Sequence, residues 1–158
     1  MRYMETLRDM EISDIDGVLE IEEASFPTPW TRGMFLEELE ESLCINRVVV
    51  IEETVIGYSC FALVFDEVHL RNIAVRERYR QRGIASRLLE DMIDIAVTEG
   101  AFLATLEVRR SSIHVQRLYE RFGFHTAGVR PKYYSDTRED ALIMWADLRD
   151  RWSAMKVE

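Results

Sequence analysis

The 158-residue sequence has few cysteines, few prolines and no long apolar run, and each shortage argues against a class of protein. Its two cysteines, Cys44 and Cys60, lie far apart, and neither has a cysteine or histidine at zinc-binding spacing. We read them as reduced core thiols, with a disulfide as the alternative. No apolar segment approaches the roughly 18 residues of a membrane span, and the acidic N-terminus lacks the apolar stretch of a secretory signal. We therefore expect a cytoplasmic protein with no membrane partner and no metal.

The sequence also has fewer basic than acidic residues: 20 lysines and arginines compared with 29 aspartates and glutamates give a net charge of −9. A general nucleic-acid binder usually carries a basic excess, so we expect no nucleic-acid partner. The acidity fits an enzyme that acts on small molecules, or one whose macromolecular partner is basic. The length and the absence of repeats and linkers predict one domain over residues 1–158.

Hydrophobic periodicity predicts eleven elements in the order β-α-α-β-β-β-α-β-α-β-β. The predicted strands are residues 4–10, 48–52, 55–65, 68–75, 102–108, 124–130 and 141–148. The first helix should begin at a capping box formed by Ser13 and Asp16, and the second at Thr31. The other two helices cover residues 84–99 and 113–122, and Gly100 and Gly123 end them. This order predicts an α/β fold with a mixed central sheet of about seven strands and helices on both faces. The strand–helix–strand unit over residues 68–108 should be a parallel, right-handed crossover.

An arginine-rich stretch, RYRQRGIAS (residues 78–86), precedes the third predicted helix of this acidic chain. A strand, a turn at Gly83 and a helix N-terminus together form an anion site, because the first N–H groups of a helix are unpaired. The sequence contains neither GxxxxGK[ST] nor GxGxxG, which excludes a P-loop and a Rossmann phosphate site. These residues alone leave two readings, a phosphate site or a solvated arginine turn.

Residues 80–85, RQRGIA, resemble the Q/R-x-x-G-x-G/A motif with which GNAT acyltransferases hold the pyrophosphate of acetyl-CoA. NIAV (72–75), LEVR (106–109) and LYERFGF (118–124) also match that family. Within it, the FPTPW segment (26–30), the tyrosine pair (133–134) and the residues from 138 to 144 are most similar to the RimI family of ribosomal-protein-alanine N-acetyltransferases. The resemblance covers nearly the whole chain. It implies the GNAT fold and acetyl-CoA as co-substrate.

The resemblance also implies which residues hold acetyl-CoA. The backbone of Ile73, Ala74 and Val75 would run beside the pantetheine arm, and a β-bulge there would offer an N–H group to the thioester carbonyl. Ser112 replaces an asparagine that helps to bind CoA in the RimI family, and its side chain reaches less far. The pyrophosphate loop would consist of Arg80, Gln81, Arg82, Gly83, Ile84, Ala85 and Ser86. Two roles stay open for Arg78 and Arg80: they add to the positive field, or they meet the 3′-phosphate of the nucleotide.

Acetyl transfer from a thioester to an amine requires a neutral amine, support for an oxyanion and a proton for the departing thiolate. Glu107 comes late in the apolar strand FLATLEV, either at its exposed end or facing a cleft, where partial burial would raise its pKa. Tyr119 is either a core aromatic or a phenol that faces the CoA sulfur. The resemblance implies that Glu107 is the base, directly or through water, and that Tyr119 is the acid.

The remaining candidates concern the acceptor. Phe26 and Trp30 either frame a peptide entrance or pack in the core, and we expect one of Tyr133 and Tyr134 in the site. A modest base suits an α-amine, with a pKa of about 7.7–8.0, better than a lysine at about 10.4. The resemblance implies a basic partner protein, small-subunit ribosomal protein eighteen. The acceptor would be the α-amine of its N-terminal alanine. The alternatives are a GNAT enzyme that acetylates a small amine or a protein lysine, and a CoA-binding module without turnover.

Overall fold

The computed structural model describes residues 4–151, and there seven strands and four α-helices follow one another in the predicted order. The strands are β1 (Thr6–Asp9), β2 (Cys44–Ile51), β3 (Thr54–Val64), β4 (Glu67–Val75), β5 (Leu103–Arg109), β6 (His125–Arg130) and β7 (Ala141–Asp147). The helices are α1 (Ile15–Ser25), α2 (Arg32–Glu40), α3 (Ile84–Thr98) and α4 (Ile113–Arg121). Short 3-10 turns precede α1 (Ile12–Asp14) and follow β4 (Glu77–Tyr79).

The strands form one sheet in the order β1-β2-β3-β4-β5-β7-β6. Strands β4 and β5 are parallel, as the strand–helix–strand pattern predicts, whereas β1 with β2, β2 with β3, β5 with β7 and β6 with β7 are antiparallel. The predicted mixed sheet of about seven strands is therefore confirmed.

Local side-chain chemistry sets the helix ends, and one predicted cap is wrong. Thr31 caps α2, since its hydroxyl accepts a 3.3 Å hydrogen bond from the Met34 N–H group. The capping box before α1 joins Glu11 and Asp14 rather than Ser13 and Asp16. Asp14 takes this role because its carboxylate also accepts two hydrogen bonds, of 2.7 and 2.9 Å, from Arg8 on β1.

Glycines end the last two helices as predicted. Gly100 follows α3 with φ +91° and Gly123 follows α4 with φ +93°. Both values lie in the left-handed region, where glycine carries no steric penalty.

The described chain divides into two compact units. The first unit contains the residues up to Ala62 together with Asn72–Leu88, and the second contains Leu63–Arg71 and the residues from Leu89 onward. In the first unit β2 alternates between two apolar clusters. Val48 and Val50 pack with residues of α1 and α2, whereas Val49 packs with Ile84 and Leu88 of α3. Helices therefore cover both faces of the sheet in this unit, as predicted.

A buried glutamate, Glu22 on α1, joins three parts of the first unit. The Tyr58 hydroxyl and the Asn72 side-chain amide both donate to Glu22 Oε1, and the Trp30 N–H donates to Oε2 at 3.0 Å. Three donors and no acceptor fit a carboxylate. Because burial of a charge is costly without such partners, this set of hydrogen bonds makes a buried glutamate tolerable at this position.

In the second unit, β5 follows a period of two. Ala104, Leu106 and Val108 are buried, whereas the side chains between them lie on the other face and are only half-buried. Strand β4 pairs His69 with Thr105 in the parallel register. Glu107 lies two residues beyond Thr105, and successive side chains of a strand point to opposite faces. The pairing therefore places His69 and Glu107 on the same face.

Candidate active site

Glu107 forms a hydrogen-bonded pair with His69 on that face. Its Oε2 lies 2.7 Å from His69 Nε2, and its Oε1 lies 3.7 Å from the Arg130 guanidinium. The Glu107 side chain is 16% exposed, so the carboxylate is largely enclosed yet still reaches solvent. Of the two positions considered from sequence, Glu107 thus occupies a half-buried place in the strand and not an exposed strand end.

The direction in which this environment shifts the Glu107 pKa is opposite to the sequence-based expectation. The hydrogen bond with His69 lowers the pKa of Glu107 and outweighs burial, which acts to raise it, and the charge of Arg130 lowers it further. The expected rise toward neutrality is therefore wrong: it followed from burial alone, whereas the strand pairing places His69 beside the carboxylate. Glu107 is ionised at neutral pH and is a weak base.

Of the two adjacent tyrosines, Tyr134 is the one that lies half-buried in this region. The Tyr133 ring is exposed and meets the Tyr134 ring edge-on at 5.1 Å. Burial raises the pKa of Tyr134 to about 12, the nearby Arg109 cation opposes that rise, and the charge of Glu107 adds to it. Tyr134 is therefore an electrostatic neighbour of Glu107.

Tyr119 on α4 is buried against Phe124, with ring centroids 5.8 Å apart. Burial raises the pKa of Tyr119, and the neighbouring Tyr134 raises it further. The phenol therefore keeps its proton throughout the neutral range, as a general acid must. Tyr134 is thus an electrostatic neighbour of both Glu107 and Tyr119.

Ser112 is the N-cap residue of α4, but its hydroxyl makes no capping hydrogen bond. Its carbonyl accepts the Gln116 N–H at 3.0 Å, and its own N–H donates to the Arg109 carbonyl at 3.0 Å. Backbone contacts thus fix the serine, and its proposed contact with CoA stays a prediction.

In the first unit, the RYRQRGIAS stretch forms the predicted turn into a helix. Gly83 has φ +81° and Gln81 has φ +63°, and α3 begins at Ile84. A Cβ atom at Gly83 would have no atom within 4 Å, so the backbone conformation and not crowding requires glycine there. Ala85 and Ser86 lie in the first turn of α3, where helix N–H groups are unpaired.

The arginines of this stretch differ in what they contact. Arg80 donates to the Val75 carbonyl at 3.0 Å and to the Ser25 hydroxyl at 3.2 Å, so its side chain is bound within the protein. Arg78 and Arg82 both lie over the Tyr79 ring, 5.4 and 5.5 Å from its centroid. Arg82 is therefore held beside the turn by the tyrosine.

The other predicted binding residues of this unit lie close to the core. Ala74 packs against the apolar cluster that contains Val48. Val75 belongs to the cluster that contains Val49, and Ile73 packs against that cluster. Trp30 also packs on the core, with its ring 5.2 Å from that of Phe35, whereas Phe26 is half-buried just after α1.

Sequence reasoning missed the two side chains that flank Glu107, His69 and Arg130, and also Arg109, which contacts Tyr134. His69 could have been found from the sequence. When the predicted strands 68–75 and 102–108 pair in parallel with their apolar residues toward the core, His69 and Glu107 lie on the same face of the sheet. No local pattern marks the arginines, whose partners lie about 20 residues or more away along the chain.

Residues 4–151 contain neither an evident metal site nor a membrane-spanning helix. No group of three or more His, Cys, Asp or Glu side chains there is arranged to hold a metal ion. Within the same residues, no helix is both long and apolar enough to cross a membrane.

Comparison with known proteins gives consistent matches. The model of the acetyltransferase (GNAT) family matches residues 15–124. An Escherichia coli (strain K12) protein named ribosomal protein bS18-alanine N-acetyltransferase is 34% identical over 143 residues, which cover 89% of this chain and 96% of the relative. A Bacillus subtilis (strain 168) protein, provisionally named for the same activity, is 35% identical over 151 residues, covering 95% of this chain and 100% of the relative.

A solved structure agrees with the sequence matches. The crystal structure of the Escherichia coli ribosomal-protein-S18-alanine N-acetyltransferase superimposes with a TM-score of 0.85 at 32% identity. The match covers 92% of this chain and 94% of the crystallised one.

Proposed function

The chain belongs to the GNAT acetyltransferase family, and we propose that it transfers the acetyl group of acetyl-CoA to the N-terminal α-amine of a protein. The proposed acceptor is the N-terminal alanine of ribosomal protein bS18, after which the bacterial relatives are named. The observation that carries the proposal is Glu107, an enclosed carboxylate that His69 holds in its ionised form.

A weak base favours an α-amine over a lysine. At pH 7.5 an α-amine with a pKa of about 7.7–8.0 is already partly neutral, whereas deprotonation of a lysine costs about 4 kcal/mol. Because the pKa of Glu107 is lowered, this carboxylate gives little help with that cost. The lowered pKa of Glu107 thus supports an N-terminal α-amine as the acceptor more strongly than a raised pKa would.

In the proposed reaction the neutral amine attacks the thioester carbonyl, a C–N bond forms and the C–S bond breaks. Glu107 accepts the amine proton, directly or through water, and Tyr119 gives its proton to the departing CoA thiolate. Burial of Tyr119 keeps the phenol protonated until that step. Acetyl transfer is direct, in a ternary complex with both substrates.

For acetyl-CoA we propose contacts with the turn around Gly83. The helix N–H groups at Ala85 and Ser86 suit the pyrophosphate, because the positive end of the helix dipole stabilises an anion there. Gln81 and Arg82 are the further proposed contacts, and the backbone of residues 73–75 is proposed to pair with the pantetheine arm. Arg80 contributes mainly to the field, since its side chain already binds Val75 and Ser25.

A peptide panel tests the proposal. Purified enzyme and acetyl-CoA are incubated with peptides that carry the N-terminal sequence of bS18, either free or blocked at the N-terminus, and each with one internal lysine. Mass spectrometry should show one acetyl group on the α-amine of the free peptide and none on the blocked peptide. Faster acetylation of the blocked peptide at lysine would overturn the proposal, and so would release of no CoA thiol with any peptide.

A further inference from the structure

Arg109 is the last residue of β5. It lies at the centre of a cluster of charged residues that fixes the loop between β6 and β7 (residues 131–140). Its guanidinium donates to both carboxylate oxygens of Asp136, at 3.1 and 2.7 Å, and to the Thr137 hydroxyl at 3.3 Å. The Glu139 carboxylate lies 3.5 Å away. This bidentate geometry suits arginine and not lysine, whose ammonium is a point charge.

The same guanidinium also lies over the ring of Tyr134, 4.0 Å from its centroid. An arginine can meet a carboxylate with its edge and an aromatic ring with its face, so the two contacts do not compete. Arg109 therefore joins the Tyr134 ring to the acidic residues of its own loop. The Arg109 side chain is only 21% exposed, which limits screening of these contacts by solvent.

The main chain of Arg109 is fixed as well. The buried Gln116 amide donates to the carbonyls of Arg109 and Arg110, at 2.9 and 3.0 Å. On the loop side, the Glu139 carboxylate accepts the Ser111 N–H at 2.6 Å, and the Glu139 carbonyl accepts the Tyr134 N–H at 3.2 Å. Arg109 is thus hydrogen-bonded to α4 through its main chain and contacts the Tyr134 ring of the loop through its side chain.

We propose that Arg109 is a positioning residue for the acceptor: it holds the Tyr134 ring in the orientation that receives the substrate N-terminus next to Glu107. Arg109 itself does not touch the substrate. This inference rests on the proposed N-terminal acetylation and deepens it, because it names what fixes the acceptor-binding loop. Arg110 provides a matched control, since its side chain is 65% exposed and reaches Asp140 at 3.4 Å without contacting either tyrosine ring.

A double-mutant cycle tests the proposal with an N-terminal alanine peptide. Arg109→Lys should raise the peptide KM roughly tenfold, within the range expected for loss of a stacked, bidentate arginine, while the acetyl-CoA KM and kcat change little. In a Tyr134→Ala background the same substitution should have almost no further effect, because its partner is gone. In a Tyr134→Phe background, which keeps the ring, the effect should persist. Arg110→Lys should behave as wild type. Additive effects of Arg109→Lys and Tyr134→Ala, or an equal rise in the acetyl-CoA KM, would overturn the assignment.

Limited proteolysis separates failure of this inference from failure of the proposed function. The loop contains trypsin sites after Lys132 and Arg138. Arg109→Lys should speed cleavage at both sites in the otherwise folded protein, and Arg110→Lys should not. If the wild type does not acetylate the peptide, the proposed function fails. The contact between Arg109 and the loop is then tested by the rate of trypsin cleavage alone. Equal cleavage of wild type and Arg109→Lys would then overturn it.

Discussion

At the scale of single residues, the partners of Glu107 decide what kind of base it is. One oxygen meets His69 and the other faces Arg130, so the carboxylate is stabilised as an anion. A base of this kind removes a proton efficiently only from an amine that is already easy to deprotonate. The proposed acceptor preference therefore follows from two side chains that lie outside the motif containing Glu107.

The pKa of Glu107 can be measured directly. A lowered pKa means that the carboxylate stays charged as the pH falls, and its stabilising contact with His69 is lost only as the pH falls through that lowered value. Removal of the imidazole in His69→Leu should therefore move the Glu107 titration, followed by carboxyl NMR, to higher pH. His125→Leu, at an exposed histidine on β6, is the control and should leave the titration in place. An identical Glu107 titration in wild type and His69→Leu would contradict the assigned cause.

Loss of the carboxylate charge should slow acetyl transfer without unfolding the protein. Glu107→Gln keeps the shape and a hydrogen-bonding oxygen but cannot accept the proton, so we expect kcat at pH 7.5 to fall roughly 100-fold. At about pH 9 the substrate amine is mostly neutral, and the loss should be smaller. Steady-state release of CoA thiol across this pH range gives the measurement. An unchanged kcat at pH 7.5 would remove Glu107 from the mechanism.

At the scale of elements, sequence predicted what is local and missed what depends on pairing. The order of strands and helices, the Thr31 cap and the glycine stops follow from periodicity and backbone preferences within a few residues. The predicted Ser13–Asp16 box failed because Asp14 has a second partner, Arg8, on the preceding strand. The contact of His69 with Glu107 depends in the same way on the β4–β5 register, which local patterns do not fix. The roles of the predicted site residues stay predictions.

The turn before α3 offers an element-scale test with an internal control. Gly83 and Gly100 both have positive φ, and at both positions an added Cβ atom would meet open space, but only Gly83 lies in the proposed pyrophosphate turn. Alanine at either position should cost a similar amount, about 1–2 kcal/mol of strain, and lower the Tm comparably. Only Gly83→Ala should also raise the acetyl-CoA KM. Equal KM values in the two variants would argue against the turn as a CoA contact.

At the scale of the whole molecule, the net charge of −9 favours encounter with a basic protein. Attraction of this kind acts over about 10 Å at 0.1 M salt and weakens as salt is added. The KM for the proposed acceptor, intact bS18, should therefore rise as salt is raised from about 50 to about 500 mM, while the KM for a short uncharged peptide should stay nearly constant. Parallel salt dependence for both substrates would place the effect in the active site and contradict long-range attraction.

Glu22 shows how the contacts that hold the fold differ in salt sensitivity from such long-range attraction. It holds the backbone at Trp30 through hydrogen bonds that include no cation. Hydrogen bonds to an enclosed carboxyl group are little affected by dissolved ions, unlike attraction between distant exposed charges. The backbone conformation at Trp30 should therefore change little with salt concentration. A rise in salt should therefore slow the arrival of a basic substrate while it leaves the backbone around Glu22 unchanged.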